Sequence, residues 1–317
     1  MRTYIIRRLL LIIPTVFIAS LIIFFVIRLI PGDVIDLMAA QQSYFSQMDR
    51  EALEQAMGLD VPVHIQYSRW IGDIILHGDL GDSLWDKSSV SEELLRRIPV
   101  TLELGFLALI VSQIIALPIG IYSAIRQDTG GDYIARTFAI LCISLPGFWI
   151  GTMVVVFPSI WWNWSPATIL IPLAEDPLGN LQMFIIPAII MGMLLSGVTM
   201  RMTRTMMLEV LRQDYIRTAW SKGLKERIII IRHALKNALI PVITIVGLQM
   251  PVMIGGSVVM EQIFCLPGIG RLLVEATFER DYPVISGVML FFAVGILIIN
   301  LAVDLTYGYF DPRVQYN

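Results

Sequence analysis

"DYIRTAWSKGLKERIIIIRHALKNALIP", Asp214 to Pro241, is polar and basic, yet it lies between two long apolar runs. Placed there, it has to sit at a membrane face. From Thr205 to Lys222 the pattern is helical: Leu208, Leu211, Tyr215 and Ala219 fall on one face, with Gln213, Asp214 and Arg217 on the other. Gly223, after Lys222, is a helix stop. Glycine accepts positive φ, and a cation suits the negative end of the helix dipole. A second helical stretch begins after Leu224 and runs into apolar sequence, with Pro241 just inside and able to kink it. The stretch therefore predicts helix, glycine turn, helix.

Working outward, the chain has the composition of a polytopic membrane protein. Of its 317 residues 56% are hydrophobic and 15% charged, with a mean hydropathy of +0.73; a soluble domain carries about 25% charged residues. Six runs, near 9–30, 100–125, 137–160, 183–200, 239–261 and 284–309, approach the roughly 20 residues needed to cross a bilayer. The first continues through Ile30 with no small-residue cleavage site after it, so a spanning helix is expected rather than a signal peptide. The expected organisation is a first span (1–30), a polar insert (31–99), a five-helix core (100–309) containing the charged segment 205–237, and a tail (310–317). The insert is broken at Pro31-Gly32, Gly58, Pro62, Gly78 and Gly81.

Charge sets the orientation. With the N-terminus inside, 15 of the 23 Lys and Arg residues fall on inside segments, nine of them between Arg201 and Lys236. The insert is net −7, whereas the segment from Arg201 to Lys236 is net +6. Both termini and the opening stretch are therefore expected in the cytoplasm and the insert outside.

Motifs for bound chemistry are missing from the sequence. There is no GxxxxGK[ST], HExxH or Cys/His metal spacing. His64, His77 and His233 all lie outside the apolar runs, so Ser144, Ser196 and Ser257 have no base within a span and read as packing or cavity-lining residues. Cys142 and Cys265 read as free thiols. Two acids lie within spans, Glu103 near an outer end and Asp304 near an inner end, with Arg28 a candidate partner for Glu103. Helix breaks are more informative: Pro146-Gly147 in the third run, and Pro241, Pro251 and Gly255-Gly256 in the fifth, are candidates for kinks or gates. The methionines of the fourth and fifth runs read as adaptable apolar filler.

Physics leaves two readings of the opening stretch. It is a basic helix resting on anionic lipid, or a docking element whose Tyr215, Ala219 and Trp220 face a protein partner. "RTAWSKG", Arg217 to Gly223, resembles the Glu-Ala-Ala-x-x-x-Gly signature of ABC importer permeases. "DYIRTAWSKGL…RHALKNALIP" resembles more closely the form found in the peptide/nickel class. Arg217 and Thr218 stand where the general signature has Glu-Ala; His233, Ala234 and Leu235 replace its Ile-x-Leu-Pro ending, with proline later at Pro241. That class shares these departures. "RRLLLIIPTVF", "VIRLIPGD", "MGLDVPVHIQYSRWIGDIILHGDLGDSL", "RIPVTLELG", "FCLPGIGRLL…RDYPVISG" and "NLAVDLTYGYFDPRV" extend the resemblance over nearly the whole chain, and the insert resembles that of the B-type subunit.

The resemblance implies an all-α integral membrane protein of the type I ABC importer permease fold, with six transmembrane helices and a partly helical insert. It implies that Tyr215, Arg217, Thr218, Ala219, Trp220, Lys222 and Gly223 form a coupling helix seated in an ATPase cleft. It also implies a C-type permease subunit, two cytoplasmic ABC ATPases that hold ATP and Mg, and an extracytoplasmic solute-binding protein. Asp79, Asp82, Pro267, Gly268 and Gly270 are outer-face docking or gate candidates. No cofactor, metal or nucleic acid is expected on this chain, and membrane lipid surrounds it. The expected setting is a prokaryotic cell membrane. Di- and oligopeptides head the expected substrates; relatives of the class also take nickel chelates, glutathione or sugars. An ATP-independent channel or secondary transporter would instead show inverted repeats or a charged membrane-centre site.

Overall fold

The computed structural model describes residues 2–29, 57–310 and seven positions between them, 34, 35, 37, 50, 52, 54 and 55. Pro31-Gly32 and most of the expected tail, with Arg313, lie outside the described residues. The described chain is helical, and its one bridge outside helices pairs Asp82 with Ser89. The helices are α1 (Arg2–Ile27), α2 (Val63–His77), α3 (Val90–Ile125), α4 (Gly130–Ser144), α5 (Gly147–Trp162), α6 (Pro177–Leu211), α7 (Asp214–Ser221), α8 (Glu226–Ile263), α9 (Ile269–Glu279) and α10 (Tyr282–Phe310).

Five of these are long and apolar enough to cross a membrane, or six spans if α4 and α5 count as one. The third run expected at 137–160 is therefore not a straight rod: α4 and α5 meet at a 90° bend. The cause is local. Pro146 has no N–H to extend the ladder of α4, and it holds an extended backbone from which α5 starts afresh. Three other spans outrun their apolar sequence. α3 begins at Val90, where Glu92 and Glu93 occupy the favourable first turn and Glu93 pairs with Arg96 at 2.8 Å and Arg97 at 2.9 Å. α6 extends to Leu211, and α8 begins at Glu226 and passes through Pro241 and Pro251 without ending.

The chain divides into two compact units, the first of 1–100 and 267–298, the second of 101–266 and 299–316. The first unit has an apolar core made by Ile23 and Ile27 of α1, Leu94 of α3, Leu272 of α9 and Val284 and Val288 of α10. α2 is bound to α1 by aromatic packing. The Phe24 ring lies 5.2 Å from Tyr67 and 5.4 Å from Trp70, and the Tyr67 hydroxyl is 2.9 Å from that of Ser20.

The second unit packs α4 and α8 against α6, with α5 against both α6 and α8. Lipid tails are as apolar as leucine, so close backbone approach and polar bonds hold such helices together. At Gly192 of α6 an added Cβ would stand 2.8 Å from the Ala108 carbonyl oxygen of α3, so only glycine allows this approach. Along the α6–α8 seam, Gln249 Nε2 donates to the Leu195 carbonyl at 3.0 Å, and Thr199 Oγ1 donates to Gln249 Oε1 at 3.3 Å. Between α3 and α8, Thr101 Oγ1 donates to the fully buried Glu261 at 2.8 Å.

Candidate functional site: the capped helix between α6 and α8

The helix expected over 205–222 is interrupted. α6 ends at Leu211, Gln213 is extended at ψ 148°, and α7 begins at Asp214 as a separate element of eight residues. This resets the helical phase and corrects the expected packed face. Ile216 and Ala219 point inward, onto an apolar cluster with Met207 of α6 and Ile229, Ala234 and Ala238 of α8. Tyr215, expected on the packed face, is 43% exposed, and Trp220 is 47% exposed.

α7 ends as the glycine predicts. Gly223 sits at φ +75°, where nothing lies within 4 Å of an added Cβ. Its N–H donates to the Trp220 carbonyl at 2.9 Å, and the Leu224 N–H donates to the Ala219 carbonyl at 3.3 Å. These are the two crossed bonds of a Schellman cap, with Leu224 and Ala219 sharing the apolar cluster as such caps favour. α8 then starts at Glu226, and its first full turns, Ile229–Leu235, are π-helical. Widened turns of this kind are rare and concentrate at functional sites.

The outward face of α7 presents Tyr215, Arg217, Thr218, Trp220 and Lys222. Arg217 pairs with Asp214 at 3.3 Å, and Thr218 Oγ1 donates to the Asp214 carbonyl at 2.9 Å. Asn237 Nδ2 of α8 donates to Tyr215 Oη at 2.8 Å and fixes the phenol over the start of the span. The outward face of α7 thus carries two exposed aromatics among cations.

A second polar cluster in the same unit escaped the sequence. Asp132, at the first turn of α4, is fully buried. Arg204 of α6 grips both its oxygens, Nε and Nη2 each at 2.9 Å; Ser123 of α3 donates to Oδ1, and the Asp128 N–H donates to Oδ2 at 3.0 Å. One carboxylate thus ties α3, α4 and α6. The local hint was Thr129-x-x-Asp132, a helix-start pattern in which the Asp132 N–H donates to Thr129 Oγ1. Its partner, 72 residues on, carries no such mark. In the second unit Glu103 takes the Asn180 side chain; in the first, Arg28 donates to Gln66 Oε1 and to the Phe24 carbonyl.

In the first unit, Asp79 and Asp82 lie on the turn after α2, where Asp79 Oδ1 accepts from the Gly81 N–H at 2.9 Å. Pro267, Gly268 and Gly270 form the start of α9, with Gly268 and Gly270 buried. The insert is pinned here by Asp281, which caps α10. Its carboxylate accepts from Ser83 Oγ at 2.6 Å, from the Leu84 N–H at 3.2 Å and from the Val284 N–H at 3.5 Å. Burial pushes the Asp281 carboxyl above its ordinary range, against these hydrogen bonds, and the Asp86 charge adds to the rise. Glu279 is raised by burial and then by Asp281, Glu275 and Asp86.

Comparison with known proteins agrees with this architecture. Residues 116–316 match the family described as binding-protein-dependent transport system inner membrane component, and residues 1–105 match the N-terminal component of the same systems. The chain is 38% identical to the dipeptide transport system permease protein DppB of Escherichia coli K12, covering 100% of this chain and 99% of that one. It is 39% identical to the oligopeptide transport system permease protein AppB of Bacillus subtilis, over 100% of both chains. The inward-facing MetNI methionine ABC transporter contains a chain of the same fold, with a TM-score of 0.56 at 16% identity, covering 69% of this chain and 96% of that one. A multi-pass helical membrane chain that matches along its length belongs to the family of binding-protein-dependent transport system inner membrane components, the permease subunits of ABC importers.

Proposed function

We propose that this chain is the B-type permease subunit of an ATP-driven importer of di- or oligopeptides and forms half of its translocation path. Peptides are the substrates named for DppB and AppB. The observation that carries the mechanism is the Schellman-capped α7, seated on Ile216 and Ala219 with Tyr215 and Trp220 turned outward.

In this reading ATP and Mg are held by two partner ATPases, and the chain has no catalytic site of its own. ATP binding closes the ATPase pair, and α7, seated in a cleft of one of them, moves with it. α8 starts three residues after Gly223 and is continuous to Ile263, so the displacement enters a spanning helix with no flexible linker between. Pro241, Pro251, Gly255 and Gly256 of α8, with Pro146 and Gly147 between α4 and α5, are the positions where the path opens and closes. A C-type permease supplies the other half. Segment 31–99 is extracytoplasmic and 100–309 is the membrane core; segment 205–237, the tail 310–317 and the N-terminus are cytoplasmic. Asp79, Asp82, Pro267, Gly268 and Gly270 meet the solute-binding protein or gate the outer face. Alternation requires ATP and the loaded binding protein to stabilise the two states differently.

The test is Ala219→Glu beside a set in which Arg212, Arg217, Lys222 and Lys225 become Gln, each expressed with the partner subunits. A charge at Ala219, 7% exposed, is buried without a partner, a change that costs about 3–5 kcal/mol. Ala219→Glu is expected to insert and to assemble with the C-type subunit, yet to lose uptake and retained ATPases. If it transports normally with ATPases bound while the cation set abolishes uptake, α7 is a lipid-surface helix and the coupling assignment fails.

A further inference from the structure

The second unit contains a cavity of about 370 Å³ between α3, α4 and α6 that the transport reading does not use. Arg136 of α4 and Arg201 and Arg204 of α6 line it. Among the described residues, Asp132 is the carboxylate in ion-pair reach of Arg136 and Arg204, and Asp128 acts on Arg204 from further away. Asp132 is bound on both oxygens by Arg204 at 2.9 Å, while Arg136 Nε reaches it only at 3.7 Å. Arg201 is exposed and has no ion-pair partner among the described residues. The cavity wall itself therefore carries an excess of positive charge, with Arg136 and Arg201 beside the buried Asp132–Arg204 pair.

The rest of the wall is apolar, made by Ile119, Ala135, Ala139, Ile140 and Met200. Ile119 and Ala135 also line a neighbouring groove of about 460 Å³, with Pro118, Tyr122, Ile134 and Phe138. Its lining is almost wholly apolar, and Ile134 and Ile140 stand 72% and 57% exposed. A basic compartment joined to an apolar one calls for an occupant with an anionic head and hydrocarbon tails. A free phosphate would use only the first. The level is also right: the cavity lies within the last two turns of α3, which Arg126 follows in sequence, at the basic end of the spans.

We infer that this cavity is a binding site for the headgroup of an anionic phospholipid, with Arg136 and Arg201 on the phosphate and the α3–α4 groove against an acyl chain. Arginine suits the role because its planar fork pairs two N–H groups with two phosphate oxygens. Binding there braces the junction that the Asp132–Arg204 pair already ties. Assigning the site to the cytoplasmic leaflet rests on the proposed N-inside orientation; the binding itself does not.

The test uses the purified full chain in detergent, with native mass spectrometry and thermal unfolding, and three probes: dioleoyl phosphatidylglycerol, dioleoyl phosphatidylcholine and inorganic phosphate. The wild type should retain phosphatidylglycerol at least ten times more tightly than phosphatidylcholine and gain thermal stability from it alone. Arg136→Gln with Arg201→Gln, which leaves the Asp132–Arg204 pair intact, should lose that tenfold preference. Ile140→Asn should weaken phosphatidylglycerol without creating affinity for phosphate. The wild-type thermal arm stands even if the double variant folds poorly. An unchanged lipid preference in the double variant overturns the site, as does equal stabilisation by the two lipids. Phosphate competing at concentrations equal to the lipid's would mark an anion site only, and would also overturn the inference.

Discussion

Substituting Gly223 tests the cap of α7 more cleanly than any other change in the coupling segment. The residue sits at φ +75° with no atom within 4 Å of an added Cβ, so a side chain there meets no steric obstacle beyond its own backbone. Only the conformational cost is left. For an L-residue in the left-handed region that cost is about 1–2 kcal/mol, heavier for β-branched side chains and lighter for asparagine. The two crossed bonds, Gly223 N–H to Trp220 and Leu224 N–H to Ala219, are worth about 1 kcal/mol each. Strain of that size is comparable with what closes the cap, so Gly223→Val should fray it, shifting its closed population by about 5- to 30-fold. Gly223→Asn should stay near wild type, with Gly223→Ala between them. Hydrogen exchange at residues 223 and 224 reads the cap, and uptake with ATPase co-purification reads the function. The reasoning is refuted if valine and asparagine protect these amides equally, or if valine frays the cap while coupling stays intact.

Three further outcomes are expected. Arg204→Gln leaves the buried Asp132 carboxylate only the longer 3.7 Å contact with Arg136 as an ion pair and should cost about 3–5 kcal/mol; adding Asp132→Asn should recover much of it, and a double variant no more stable than the single would show that the pair does not bind these helices. Asp281 and Glu279 have raised pKa values when folded, so their contribution is complete below the ordinary carboxylate range and is lost as pH rises through the raised values. Exchange at 83–85 and 282–285, corrected for intrinsic rates, should therefore slow from neutral to mildly acid pH, and Asp281→Asn should flatten the dependence; a flat wild-type profile contradicts it. A cysteine at Ser89 should react with an impermeant label from outside intact cells and one at Ser221 only after the inner face is opened; outside labelling at Ser221 would reverse the proposed orientation.

The apolar runs, the glycine that ends α7 and the proline break before α5 were legible because each is a property of neighbouring residues: hydropathy summed over a window, a φ that only glycine takes easily, a missing N–H. The resemblance carried by "RTAWSKG" was legible for the same reason. What the sequence left undecided lies where partners are far apart along the chain. Arg212 and Gln213 are acceptable helix residues, so nothing local marks the break between α6 and α7; docking Ile216 against Met207, Ile229 and Ala234 decides it, and with it which face of α7 turns outward. A hydropathy window also stops at charge, so it missed the polar first turns of α3, whereas the polar start of α8 was legible in the helical stretch after Leu224. Asp132 meets Arg204 across 72 residues and Ser83 meets Asp281 across 198. Those distances close only in the tertiary structure, where burial makes an unpaired charge too costly to leave and so selects the arrangement that pairs it.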